Sequence, residues 1–254
     1  MLLAIDVGNT NITIGVFEGD KLRSTWAIST DIRKTADEYA VLLLNLLPRD
    51  GLAFEDIDNI CIASVVPPLQ SVIEELCELY IKKSPLIIGP GVKTGVRILV
   101  DNPREVGADR IVNAAAAHKL YGGPLIIIDF GTATTFDAIS KNGDYIGGVI
   151  SPGIVIAAEA LFNRASKLPK VELVIPDHVV GKNSVAAMQS GIMFGYVGLI
   201  ENLVVRISKE LGGKVKVIAT GGLAQVIANE TEVIDAVAPH LTLIGLKLTH
   251  DLNL

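Results

Sequence analysis

The stretch of sequence that decides the fold is Leu125-Ile-Ile-Ile-Asp-Phe-Gly-Thr-Ala-Thr-Thr-Phe-Asp137. It begins as a continuous aliphatic run, which is typical of a strand buried on both faces. The run ends in a carboxylate, Asp129, and a glycine and several threonines follow. A carboxylate at a strand tip, a glycine that lets backbone amides approach and nearby hydroxyl groups together favour the binding of a metal-bound phosphate chain.

The same pattern opens the chain, in Leu2-Leu-Ala-Ile-Asp-Val-Gly-Asn-Thr-Asn-Ile-Thr13. The two stretches align without gaps when Leu2 is laid on Leu125. Chemically similar positions then coincide: Asp6 with Asp129, Gly8 with Gly131, Asn9 with Thr132 and Asn11 with Thr134. A repeat of this length predicts a duplicated supersecondary unit, with a ligand cleft where two domains meet. Two unrelated strand–turn–strand hairpins are the alternative.

The composition favours an α/β protein with buried strands. Of 254 residues, 50% are hydrophobic, 20% are charged and 5% are aromatic, which fits buried aliphatic strands better than a β-sandwich. The formal net charge is −6, so no global field attracts nucleic acid or an acidic membrane surface. An anionic substrate therefore needs local positive charge.

Neither cysteine nor histidine indicates a metal site or a disulfide framework. Cys61 and Cys77 each lie in an apolar pattern and are expected to be small core residues. The most apolar stretch, 146–162, is interrupted by Pro152 and Glu159 and is too short to span a membrane. The first strand begins at once, without a leader pattern. We therefore expect a soluble, cytoplasmic protein. The four histidines show no ligand spacing and are expected to have no functional role: His118, His178, His240 and His250.

Hydrophobic patterning predicts a mixed sheet in the first half of the chain. Strands are predicted over 2–7, 11–17, 21–28, 59–65, 85–88 and 96–100. A capping box, Thr35-x-x-Glu38, predicts a helix that ends near Leu47, and 69–80 has helical spacing. This order of elements, without a G-x-G-x-x-G sequence, excludes a dinucleotide-binding Rossmann unit.

In the second half, helices are predicted over 154–164 and 185–211 and a strand over 214–219. Ser184 is the expected N-cap of the long helix, whose first-turn amides can bind anions. The strand leads into Thr220-Gly-Gly-Leu-Ala224, a turn suited to lie against an adenosine. One face of the long helix carries three glycines, Gly191, Gly195 and Gly198. They predict a close neighbour, which is either a helix of the same chain or a second subunit.

A second chemical focus is the segment Asn102-Pro-Arg-Glu-Val-Gly-Ala-Asp-Arg110. Gly107 is expected to break or restart a helix there. Asp109 and Arg110 are adjacent and so point apart on a helix. They are either solvated charges or a base with a clamp for an anionic substrate group. With an ordinary carboxyl pKa of about 4, Asp109 is expected to be ionised at neutral pH.

These motifs resemble those of a known protein family. Residues 6–11, 129–135 and 220–224 resemble the two phosphate motifs and the adenosine motif of the superfamily of acetate kinase, sugar kinases, heat-shock chaperone ATPases and actin. Within that superfamily, the first two motifs together with residues 102–110 are similar to type III pantothenate kinase. The resemblance implies two duplicated actin-like (ribonuclease H-like) domains with mixed sheets facing a central cleft, which we place at 1–118 and 119–254, the long dimerisation helix lying in the second.

The resemblance also implies the reaction, which is ATP-dependent phosphorylation of the 4′-hydroxyl of pantothenate at the start of coenzyme A biosynthesis. It assigns ATP and Mg²⁺ to Asp6, Val7, Gly8, Asn9, Thr10, Asn11, Ile12, Thr13 and Thr132. It assigns pantothenate to Val100, Gly107, Ala108, Asp109, Arg110 and Ser184, with Asp109 as the proton acceptor. Asp129 is the expected ligand of a monovalent cation, K⁺ or NH₄⁺.

Two further features accompany the resemblance. Members of the family are homodimers whose active sites are completed across the interface, which suits the glycine face of the long helix. At Val100 the family usually carries an aromatic residue that lines the substrate site, so valine changes the shape of the expected pocket. Two other functions fit the same fold: a nucleotide-binding regulatory or accessory protein without kinase activity, and a hydrolase of polyphosphate or nucleotides.

Overall fold

Two mixed sheets of five strands each organise the chain, and the computed structural model describes residues 1–254. The strands are β1 (Leu2–Val7), β2 (Asn11–Glu18), β3 (Lys21–Ser29), β4 (Asn59–Ser64), β5 (Leu86–Ile87), β6 (Leu125–Phe130), β7 (Ala133–Ile139), β8 (Tyr145–Pro152), β9 (Lys216–Gly221) and β10 (Ala236–Val237). The helices are α1 (Ala36–Leu46), α2 (Pro67–Leu76), α3 (Ala108–Tyr121), α4 (Ile154–Arg164), α5 (Ser184–Glu210), α6 (Ala224–Ala228) and α7 (Leu241–Asp251).

The two sheets have the same topology. The strand order is β3-β2-β1-β4-β5 in one sheet and β8-β7-β6-β9-β10 in the other. In each, an antiparallel meander of three strands is joined through its first strand to two parallel strands. The predicted duplication is therefore confirmed, and the fold is a repeated α/β unit with mixed sheets.

The two aspartates occupy equivalent positions in this repeat. In β1 and β6 every residue is buried except the aspartate before the last position, Asp6 or Asp129, which is half-buried. The gap-free alignment of the two sequence stretches is correct as far as Gly8 and Gly131. Beyond these glycines it is wrong. Val7 pairs with Ile12, whereas Phe130 pairs with Thr134. The first turn, 8–11, is thus one residue longer than the second, 131–133.

Helices cover both faces of the first sheet. Helices α1 and α2 pack on one face through a core that includes Tyr39 and Leu69. Helices α3 and α7 pack on the other, where Leu243 and Leu246 lie against residues of β1 and β4. A Cβ at Gly245 of α7 would lie 2.1 Å from the carbonyl oxygen of Val112 in α3, so only glycine permits this close approach.

The packing of α7 changes the expected division of the chain. The first unit comprises Met1–Leu120 and His240–Leu254, and the second comprises Tyr121–Pro239. The expected boundary, between 118 and 119, lies close to the observed one, but the assignment of the last helix to the second domain differs from the structure. Local patterning does not reveal which sheet covers the apolar face of α7.

The second unit has its core between its sheet and helices α5 and α6. Buried side chains of α5 such as Met193, Ile200 and Val204 pack with those of β6 and β9. Helix α5 is long and apolar enough to cross a membrane by length and composition alone. Because these side chains lie within a core built with the sheet, α5 is a core helix of this unit.

Most predicted elements are present, and two local predictions are wrong. The capping box is confirmed: Glu38 N–H donates to Thr35 Oγ1 (3.4 Å) and Thr35 N–H to Glu38 Oε2 (2.9 Å). No strand spans 96–100. The nearby backbone is bound instead by the C-terminal tail, because Lys93 N–H donates to Asn253 Oδ1 (3.1 Å) and Asn253 Nδ2 donates to Lys93 O (2.8 Å). The N-cap of α5 is Asn183, which accepts from Ala186 N–H (2.9 Å), and Ser184 is the first helical residue.

Candidate active site

In the first unit, a tight turn follows Asp6 at the carboxyl end of β1. Gly8 N–H donates to Asn11 O at 3.0 Å. A Cβ at Gly8 would lie 2.9 Å from that oxygen, so the turn requires glycine. Within the predicted nucleotide-binding stretch, the side chains of Val7 and Ile12 are buried in the core. A ligand at this turn can therefore contact the backbone and the exposed polar side chains of Asn9, Thr10 and Asn11.

The Gly107–Arg110 segment lies at the same edge of the first sheet. The turn Pro103–Glu105 is a short 3₁₀ segment, and α3 begins at Ala108, so the predicted restart at Gly107 is confirmed. A Cβ at Gly107 would lie 3.3 Å from Cγ1 of Val65, the residue after β4. Val65 N–H in turn donates to Val7 O (3.0 Å) at the end of β1. Parallel pairing of β1 and β4 thus brings Asp109 to the edge that carries Asp6.

Gly107 and the Arg110 backbone hold the Asp109 carboxylate in place. A Cβ at Gly107 would lie 2.4 Å from Asp109 Oδ1, so any larger residue would displace the carboxylate. Arg110 N–H donates to the same oxygen at 2.8 Å. Burial raises the pKa of Asp109, while this hydrogen bond and the Arg110 charge oppose the rise. The expectation of an ordinary pKa for Asp109 is therefore wrong, because its burial, which raises the pKa, depends on the tertiary structure.

In the second unit, Asp129 lies beside the glycine turn that follows β9. Asp129 pairs with Thr220 and Phe130 with Gly221 in the parallel ladder. Gly221 has a φ of 91°, and a Cβ there would lie 2.7 Å from both Asp129 Oδ1 and Phe130 O. The predicted phosphate turn and the predicted adenosine turn are therefore neighbours at one edge of this sheet.

A third loop of the second unit supports the turn at Thr132. Gly153 N–H donates to Thr132 O at 3.2 Å, and a Cβ at Gly153 would lie only 2.3 Å from that oxygen. The lack of a side chain at Gly153 therefore admits the neighbouring turn of the same unit. Tyr196 of α5 fastens the arrangement, because its hydroxyl bonds to Pro152 O (3.1 Å) and to the hydroxyl of Thr134. Sequence reasoning missed Tyr196, which no local motif marks.

Ser184 lies on a groove of the second unit, between α4 and α5. The groove has a volume of ≈ 570 Å³ and is lined largely by apolar side chains and glycines of the two helices. A Cβ at Gly191, Gly195 or Gly198 would meet nothing within 4 Å. Helix α4 packs against α5 and lines the groove together with Gly191 and Gly195, but the glycines remain exposed. A second subunit on this face stays a prediction.

The donor atoms at these turns suit hard cations held together with phosphate. No group of three His, Cys, Asp or Glu side chains that could hold a metal ion occurs in the chain. One or two carboxylates with carbonyl, water or phosphate oxygens are the usual ligands of Mg²⁺. Both Asp6 and Asp129 are half-buried at strand tips.

Comparison with known proteins gives one family and a shared fold. The model of the type III pantothenate kinase family matches residues 2–206. A Campylobacter jejuni protein described as a Baf family transcriptional activator is 20% identical, with a TM-score of 0.63 over 99% of this chain and 98% of that one. The activator of 2-hydroxyisocaproyl-CoA dehydratase from Clostridium difficile, solved with bound ADPNP, is 12% identical, with a TM-score of 0.54 over 99% and 95%.

A third similar structure is a kinase. The inorganic polyphosphate/ATP-glucomannokinase of an Arthrobacter strain is 12% identical, with a TM-score of 0.50 over 100% of this chain and 99% of that one. Identities this low show that the fold is shared and do not transfer a substrate. They confirm the predicted actin-like ATPase and sugar kinase fold.

Adjacent glycines after β9 provide a matched test of the Asp129 turn. Gly221→Ala places a Cβ against Asp129 and Phe130 at a positive φ, so we expect the free energy of unfolding to fall by about 3 kcal/mol. Gly222→Ala meets nothing within 4 Å and should change it by less than about 0.5 kcal/mol. Urea unfolding monitored by circular dichroism measures both, and equal effects would contradict the packing of Asp129 on Gly221.

The raised pKa of Asp109 predicts a pH-dependent gain in stability for Asp109→Asn. A carboxyl group whose pKa is raised in the folded state contributes stability below its unfolded-state pKa of about 4. That contribution is lost as the pH rises through the folded-state pKa. We therefore expect Asp109→Asn to melt at a higher temperature than wild type near neutral pH, with the difference shrinking towards about pH 4. Calorimetry across this range tests it, and a difference that does not vary with pH would contradict the burial of this charge.

Proposed function

The chain belongs to the type III pantothenate kinase family, and from that premise we propose that it transfers the γ-phosphoryl group of ATP to the 4′-hydroxyl of pantothenate. The observation that carries the proposal is the position of the Gly107–Arg110 segment, the part of the resemblance specific to this family, at the sheet edge that carries Asp6. The reaction is the first step of coenzyme A biosynthesis.

The two strand-tip turns supply the nucleotide-binding part of the proposal. Phosphoryl transfer depends on positioning and on neutralising charge more than on covalent catalysis. The turn at 8–11 offers backbone and exposed amide and hydroxyl groups to phosphate oxygens, and Thr132 offers a hydroxyl at the equivalent turn. The Clostridium difficile activator holds ADPNP on this fold, which supports the same use of the fold here.

Asp109 is the proposed general base. Its carboxylate accepts the proton of the pantothenate hydroxyl as the oxygen attacks the γ-phosphorus, and ADP leaves. The Arg110 N–H donates to this carboxylate, and Gly107 leaves room for it. A raised pKa makes the ionised carboxylate a stronger base than an exposed one. Arg110 is the proposed clamp for the pantothenate carboxylate.

Asp6 and Asp129 are the proposed cation-binding residues. When bound with ATP, Mg²⁺ at Asp6 neutralises phosphate charge, and a monovalent cation, K⁺ or NH₄⁺, at Asp129 adds to this. Asp129 lies half-buried near the end of β6, beside the turn at Gly221. Val100 lies half-buried in the irregular segment before Asp101, where a smaller side chain than the family's usual aromatic residue shapes the proposed pantothenate pocket.

We also propose that the protein is a cytoplasmic homodimer that uses the groove between α4 and α5. Leu161 of α4 lines this groove and is 39% exposed in the single chain. The glycine face of α5 is open beside it. Exposed apolar surface of this kind, next to exposed helix glycines, is typical of a subunit interface. Ser184 lies on the groove, where a second subunit would bring it into contact with a neighbouring chain.

The proposed reaction predicts ADP release that requires ATP, Mg²⁺, a monovalent cation and pantothenate together. Asp109→Asn should lower kcat by about 10² to 10⁴-fold while ATP binding, measured by calorimetry, is retained. Because burial raises the pKa of Asp109, the acid limb of the wild-type kcat/KM profile should lie above the ordinary carboxyl pKa of about 4. Activity requires the ionised base and is lost as pH falls through this limb.

The same assay separates the alternative functions. ATP binding without any pantothenate-dependent ADP formation would identify a nucleotide-binding regulatory protein. ATP breakdown that is independent of pantothenate would identify a hydrolase. Full activity of Asp109→Asn would remove Asp109 from the role of base.

The proposed dimer predicts that Gly195→Arg shifts sedimentation from dimer to monomer. The added side chain projects from the open face of α5, so it should not disturb the fold of the single chain. Asn142→Arg, in the exposed turn between β7 and β8, adds the same charge away from the groove and should leave the dimer intact. Analytical ultracentrifugation measures both, and a wild-type monomer at micromolar concentration would contradict the dimer.

A further inference from the structure

Thr30 contacts the turn at Gly8–Asn11 through two hydrogen bonds. This residue directly follows β3, and its side chain is half-buried. Its hydroxyl donates to Gly8 O at 2.6 Å, and its backbone N–H donates to Thr10 O at 3.0 Å. One residue therefore holds two carbonyl groups of the turn from the side of β3.

The hydrogen bond from the Thr30 hydroxyl to Gly8 O sets the direction in which the Asn9 N–H points. In a trans peptide the carbonyl and the N–H of the same unit point in opposite directions. Because the Gly8 carbonyl is held towards Thr30, the Asn9 N–H is directed away from Thr30. The Gly8 N–H is itself turned inwards to Asn11 O. Amides aimed outwards from a glycine turn are the groups that bind phosphate oxygens.

Thr30 is itself held by a rigid segment. The next residue, Asp31, donates its N–H to the Tyr39 hydroxyl (3.0 Å) and accepts the Tyr39 hydroxyl proton at its own carbonyl (3.0 Å). Tyr39 belongs to α1 and is 1% exposed. On the other side, the Asp31 carboxylate accepts from the backbone and guanidinium of Arg33, and these bonds lower the pKa of Asp31 to about 2. The segment that carries Thr30 is thereby fastened to the core of the first unit.

We propose that Thr30 is a positioning residue for nucleotide binding, whose hydroxyl orients the Gly8–Asn9 peptide towards the phosphate chain of ATP. The proposal rests on the proposed function in one respect, the use of the turn at 8–11 for phosphate. Thr30 acts through the backbone of the turn. A turn that is already ordered avoids the entropy cost of ordering it when the ligand binds.

The experiment compares Thr30→Val, which keeps the shape and the backbone N–H but removes the hydroxyl, with Thr30→Ser, which keeps the hydroxyl. Calorimetry with ATP and Mg²⁺ measures Kd, and steady-state assays measure KM for each substrate. For Thr30→Val we expect Kd and KM for ATP to rise about tenfold, the size of effect that one hydrogen bond produces, with KM for pantothenate changed much less. Thr30→Ser should stay within about twofold of wild type.

Two control variants separate positioning from stability. Leu43→Val truncates a side chain of α1 that is 2% exposed in the core of the first unit and lowers stability without touching the turn. It should lower the melting temperature and leave the Kd of ATP unchanged. Thr25→Val, at an exposed position of β3, makes the same substitution away from the turn and should change neither quantity.

Three results overturn the inference: a Thr30→Val protein that binds ATP as tightly as wild type, a Thr30→Ser protein that binds as weakly as Thr30→Val, or a Leu43→Val protein with the same loss of ATP affinity. A wild-type protein that binds ATP but does not phosphorylate pantothenate overturns the proposed function, and the ratio of Kd values still decides the role of Thr30. A wild-type protein that binds no nucleotide overturns both.

Discussion

Parallel pairing of the central strands is the constraint on which the candidate site depends. β1 pairs with β4, and β6 pairs with β9, each in parallel. Parallel neighbours end at the same edge of a sheet, so the residues after their carboxyl ends become neighbours whatever their separation in sequence. Asp6 is thereby brought to the edge where Val65 supports Gly107, and Asp129 to the edge where Gly221 turns. The polar groups of each unit gather where the backbone ladder ends.

Glycines determine how closely the loops approach at these edges. At Gly107 the space of a side chain is taken by the Asp109 carboxylate, and at Gly221 it is taken by Asp129 and the backbone of Phe130. At Gly153 it is taken by the carbonyl groups of the neighbouring turn. In all three cases the missing Cβ leaves room for an oxygen atom that a side chain would displace. The same property lets α7 approach α3 at Gly245.

The two units share a skeleton and differ in what holds their turns. The first turn, 8–11, is one residue longer and is bound by Thr30, the residue that follows β3. The second, 131–133, is held by Gly153 and, through Pro152, by Tyr196 of α5. Tyr196 also lines the groove beside the glycine face of α5. The second turn is therefore joined by hydrogen bonds to the surface that we propose as the subunit interface, whereas the first is joined to the core through α1.

The sequence by itself determined the repeat, the strand-tip aspartates, the capping box at Thr35 and the restart of the helix after Gly107. These are local matters, because they depend on periodicity, on side chains a few residues apart and on the backbone preferences of glycine. Tertiary structure alone decided that α7 packs on the first sheet, that 96–100 is not a strand and that burial raises the pKa of Asp109. The contact of Thr30 with Gly8 belongs to the same group, with 22 positions separating the two residues. Each of these depends on which distant groups share a space, and no pattern within a single stretch of chain specifies that.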